Sequence, residues 1–108
     1  MSAMFRQGDV LVRRVTRIPA DAAKVENADR IVLAHGEATG HAHAIALDEA
    51  HEFSQTAADG VVYRFLEVLA RGATLRHEEH APILLPVGFY EILRQREYAP
   101  EEIRNVID

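Results

Sequence analysis

Apolar and polar positions alternate along this chain in short runs interrupted by glycine, proline and one Asp-Gly pair, which is the period-two signature of β-strands. Residues 9–15 (Asp-Val-Leu-Val-Arg-Arg-Val) are rich in β-branched side chains and predict a first strand that begins after Gly8. Residues 22–29 show no apolar stripe and read as a loop. A second strand is expected over residues 30–35, stopped by Gly36. From 41 to 47 the larger residues His41, His43, Ile45 and Leu47 alternate with Ala42, Ala44 and Ala46, so both histidines are expected on one face of a strand. A short strand at 52–54 leads to a hairpin turn at Ala58-Asp59-Gly60, because Asp-Gly tolerates the positive φ angles of tight turns. Further strands are expected at 61–69, 73–77 and 89–95, with a brief edge strand at 83–85 framed by Pro82 and Pro86. Residues 99–107 place Pro100 near the start and Glu101 and Glu102 in a first turn, as a short C-terminal helix or an ordered tail would.

The pattern therefore predicts a mainly β protein, a small β-barrel or sandwich, in one domain spanning residues 1–108. Composition agrees: 48% hydrophobic and 27% charged residues are the balance of a folded globular chain. A formal charge of −5 removes any general attraction to nucleic acid or anionic lipid, so neither is an expected partner. Apolar runs such as Ile83-Leu84-Leu85 are too short to span a bilayer, and residues 1–6 carry no signal-peptide pattern, which makes a cytoplasmic location the expectation. Edge strands of this kind can pair across a subunit boundary, so a homo-oligomer is a possible assembly.

The chemistry rests with histidine. The chain has no cysteine, so a metal site must use nitrogen and oxygen. Of six histidines, four fall in two tight pairs, His41 with His43 and His77 with His80. The i, i+2 spacing of the first pair sets two imidazoles on one strand face about 6–7 Å apart at their Cα atoms. The second pair fits a strand end at His77 whose turn through Glu78 and Glu79 brings His80 back. Together they make a four-histidine site for a divalent transition metal, with zinc, iron or nickel suited to imidazole. Glu78 and Glu79 are the candidate proton-handling acids of a metal-dependent enzyme, with Glu37 as a further carboxylate nearby. His35 and His51 have no such partner and read as bystanders. A closed site would instead staple the fold or a subunit interface.

The run Gly36-Glu37-Ala38-Thr39-Gly40-His41-Ala42-His43, followed by Asp48 and Glu49 and a later strand-end histidine, resembles the metal motif of the cupin superfamily. That resemblance implies a double-stranded β-barrel with His41, His43 and one of His77 or His80 as ligands. The chain is also similar, nearly end to end, to a set of small uncharacterised bacterial and phage-type proteins. They share an opening like Phe5-Arg6-Gln7-Gly8-Asp9-Val10, the turn Thr39-Gly40-His41-Ala42-His43, the run His77-Glu78-Glu79-His80-Ala81-Pro82-Ile83 and an ending like Arg94-Gln95-Arg96-Glu97-Tyr98. This second likeness implies that both histidine pairs matter, and implies no reaction.

Overall fold

A computed structural model describes residues 3–35 and 40–94 of the chain. Within them lie ten strands, β1 (Met4–Gln7), β2 (Val10–Val15), β3 (Ala23–Val25), β4 (Arg30–His35), β5 (Ala42–Ala46), β6 (Ala50–Thr56), β7 (Val62–Val68), β8 (Ala73–His77), β9 (His80–Leu85) and β10 (Gly88–Arg94). They form a six-stranded sheet in the order β1-β2-β10-β7-β6-β3 and a four-stranded sheet in the order β4-β5-β8-β9, antiparallel throughout. Val10, Val12, Leu66, Val68, Tyr90 and Ile92 of the larger sheet and Ile31, Leu33, Ile45, Leu75 and Leu85 of the smaller one bury their side chains in a single shared core. The expected β class holds, whereas the barrel does not. Among the described residues the strands form two separate sheets and no closed barrel, because β4 and β9 end the small sheet instead of joining the large one.

Several local expectations change with the pairings. The loop expected at 22–29 contains β3, which needs no apolar stripe because it is an edge strand held by its backbone ladder to β6, with Lys24 opposite Phe53. Residues 4–7, passed over in the sequence, form β1 and pair with β2 through a two-residue turn at Gly8-Asp9. Gly8 has φ +57° while no described non-glycine residue has a positive φ, the pattern of a type II′ turn with glycine first. The expected 52–54 strand is longer, running from Ala50 to Thr56, and the turn before β7 falls at Ala58-Asp59-Gly60 as predicted, with Gly60 at φ +89°. The edge strand expected at 83–85 starts earlier, at His80. The helix or tail expected at 99–107 lies outside the described residues.

Candidate metal centre

Three neighbouring strands carry the histidines. β5 and β8 are adjacent in the small sheet, with Ala44 opposite Arg76, and β8 and β9 form a hairpin in which His77 pairs directly with His80. Glu78 and Glu79 are the two central residues of that hairpin. With no positive φ available, the turn cannot take the mirror-image geometry that matches strand twist, and the register shift between Leu75 and His77 absorbs the mismatch. The extra residue falls on β9 beside Pro82, an edge-strand position where a missing N–H costs nothing in the ladder.

The fold brings both histidine pairs together. Ring centroids lie 4.3 Å apart for His43 and His77, 4.7 Å for His77 and His80, 5.7 Å for His43 and His80, and 5.7 Å for His41 and His77. Imidazoles bound at a common ion with metal–nitrogen distances near 2.0–2.1 Å have centroids roughly 5 Å apart, so the spacing is that of a coordination shell. Among the described residues two overlapping sets place one ligand atom from each member within 4.8 Å of the others: His43, His77 and His80, and His41, His77 and Glu78. His77 belongs to both. His41 precedes β5 instead of lying in it, which is why the expected same-face pair divides between the two sets.

Two residues from the other sheet complete the arrangement, and neither was singled out as a site residue in the sequence. Gln7, at the end of β1, donates from Nε2 to the carbonyls of Leu75 and Ala81, both at 3.0 Å, so its amide nitrogen must face those acceptors and its oxygen must face His43. Oε1 stands 2.9 Å from His43 Nδ1, which must therefore carry the proton and leave Nε2 with its lone pair. Gly8 follows directly. A Cβ there would sit 2.9 Å from His80 Nε2 and 3.2 Å from His43 Cε1, so the space beside these rings exists because position 8 has no side chain. In the sequence Gly8 marked only the start of the first strand, and both residues appeared in the shared opening run.

The electrostatics favour a neutral His43. Its side chain is 4% exposed, and burial, together with His77, His80 and Arg94, lowers its pKa to about 4, against a smaller opposite pull from Asp9. Glu78 is held below the usual carboxylate range by the backbone N–H groups of Ala42 and of Glu78 itself, with His41 and His77 adding to the effect. The Ala42 bond, 3.0 Å to Oε1, ties the hairpin tip to the start of β5. An acid so stabilised as its anion suits a ligand or a clamp. Glu79 has a side chain 65% exposed, with Oε1 3.6 Å from His41 Nδ1. That ring nitrogen is buried and has no hydrogen-bond partner among the described residues.

His77 is set differently from His43, because its Nδ1 accepts the exposed backbone N–H of Glu79 at 3.0 Å. Ligation through Nε2 requires the proton on Nδ1, so this ring would have to release Glu79 to water in order to bind an ion. His35 ends β4 in an exposed position, His51 lies on β6 beside Glu52, and neither joins a ligand set. Glu37 falls outside the described residues.

Residues 6–95 match the family described as Domain of unknown function (DUF8820), a span that holds every residue of this centre. No curated protein and no solved structure matches the chain. A family without an assigned activity agrees with the likeness to uncharacterised proteins read from the sequence, and adds no support for the cupin one.

Proposed function

The chain belongs to the DUF8820 family, and we propose that it is a divalent transition-metal-binding protein whose ion is held by His43, His77 and His80 with a coordination position left open. The observation that carries this reading is the Gln7 carboxamide. A histidine buried for packing needs one hydrogen bond of either sense, whereas a ligand histidine needs its outward nitrogen protonated and the other bare, and Gln7 enforces the second state on His43. Three imidazoles with no thiolate fit zinc, iron or nickel, and a three-histidine shell leaves room for water or a chelating molecule. His41 and Glu78 stand ready as additional donors through the second set.

An open site fits better than a closed staple. All three imidazoles come from one sheet, and Gln7 already bridges the two sheets at this point, so an ion is not needed to join them. Metal analysis of protein purified without a histidine tag tests the reading. One equivalent of bound metal in the wild type, lost in His43→Ala and in His80→Ala, is expected. Absence of binding after incubation with zinc, nickel and ferrous iron, or equal retention in both variants, overturns it.

A further inference from the structure

The second ligand set differs from the first in its donors and in its surroundings. His41, His77 and Glu78 place one ligand atom each within 4.8 Å of the others, and neither His43 nor His80 belongs to that set. A carboxylate in place of an imidazole shifts the preference of a site toward a harder cation such as manganese. Ala42, His77 and Glu78 also line a groove on the small sheet that His43 and His80 do not line. His43 and His80 stand instead against Gln7 and Gly8 of the other sheet. Both new donors have bonding capacity to spare. A buried ring nitrogen of His41 has no hydrogen-bond partner among the described residues, since Glu79 Oε1 is 3.6 Å away and beyond hydrogen-bond reach. Glu78 accepts the Ala42 N–H at Oε1, and an ionised carboxylate has further lone pairs for a cation. His77 is common to both sets, and one nitrogen lone pair cannot serve two ions. Binding a second ion through the other ring nitrogen would strip the imidazole of its last proton and set two dications side by side.

We propose that the protein has two mutually exclusive cation positions that share His77: an inner one of His43, His77 and His80 that prefers zinc, and an outer one of His41, His77 and Glu78 that prefers manganese. The inference rests on the metal reading above and adds a second position to it. Gln7 fixes the tautomer of His43, whereas His41 has no hydrogen-bonded outer partner among the described residues, and the outer set has one imidazole fewer. The outer ion is therefore held more weakly, is lost on desalting, and is read only at equilibrium with free metal.

Manganese is the probe, titrated into the metal-free protein and followed by the electron paramagnetic resonance signal of the free ion, with zinc as competitor. One equivalent of manganese is expected to bind, and one equivalent of zinc to release it. Glu78→Gln keeps an acceptor for Ala42 while removing the charge, and it should lower manganese affinity at least tenfold with zinc affinity changed less than twofold. His41→Ala should do the same. His80→Ala, at an exposed position, should show the reverse, losing at least tenfold for zinc and less than twofold for manganese. Failure of manganese to bind, retention of both ions at once, or equal losses for the two metals in the Glu78 and His41 variants each overturn the second position while leaving the three-imidazole site intact. Manganese bound through His41 and Glu78 by a protein that takes up no zinc would instead sink the three-imidazole reading and the exclusion between the two positions, while retaining the outer one.

Discussion

Two polar seams cross between the sheets, and they differ in how they end. In one, Arg64 of β7 donates to the carbonyls of Val32 and Leu33 on β4, at 2.8 and 2.7 Å, and pairs with Glu52, which also accepts from Asn27. Donors meet acceptors, and the chain of bonds closes on the protein itself. In the other, Gln7 of β1 donates to Leu75 and Ala81 and accepts from His43, and beyond it the imidazoles of His41, His77 and His80 converge on one another with a buried ring nitrogen left over. Both seams stitch sheet to sheet. A network that closes on itself is architecture, and one that runs out into converging imidazoles leaves a buried polar atom that the described residues do not satisfy.

Cutting the closed seam should cost the most stability. Glu52 is 5% exposed, so Arg64→Ala leaves a buried carboxylate without its cation, holding only the Asn27 bond, and is expected to destabilise by about 3–5 kcal/mol. Urea unfolding reads the loss, and metal bound per folded molecule should not change. A loss below 1 kcal/mol would mean that the seam does not hold the sheets together.

The open seam should respond in the opposite sense. Gln7→Leu removes the acceptor that keeps the proton on His43 Nδ1 and is expected to weaken metal binding roughly 10–100-fold, the usual effect of losing such an outer partner. Calorimetric titration with zinc measures it, against His51→Ala as a control that should bind like wild type. If Gln7→Leu binds zinc as the parent does, the tautomer argument fails even if the metal does bind.

A pH series on the metal-free protein sharpens the contrast further. The folded pKa of His43 lies near 4, below the usual 6.5, so between those values the unfolded chain binds more protons at this position than the native one. His43 therefore imposes no proton-linked loss above pH 6.5, and stability should fall as pH drops from 6.5 toward 4. Urea midpoints across that range should decline less steeply in His43→Phe than in wild type. Parallel curves would place the titrating group elsewhere.

The smallest effect concerns the exposed bond from Glu79 to His77. Saturating zinc should free the Glu79 N–H to solvent and speed its hydrogen exchange several-fold, while the Gln7 side-chain amide stays protected. Unchanged exchange at Glu79 would show that His77 keeps its present tautomer and is no ligand.

Much of this protein was readable before any tertiary contact was known. The strands around residues 9–15, 30–35, 61–69 and 73–77, the Asp59-Gly60 turn and the spacing of His41 with His43 and His77 with His80 all follow from periods and breakers that act over a few residues. A strand period states which residues share a face with their own neighbours along the chain. It carries no information about which strand lies alongside, so the two open sheets, the pairing of β3 with β6 and the neighbourhood of β5, β8 and β9 were set only when the sheets assembled. The candidate metal centre divides the same way. Its imidazoles were visible as local doublets, but the division between the His43 and His41 sets, the 68-residue reach of Gln7 to Leu75 and the gap that Gly8 leaves beside His80 exist only where one sheet meets the other. Side-chain tautomer and approach distance are properties of contacts between distant segments, and no local pattern encodes them.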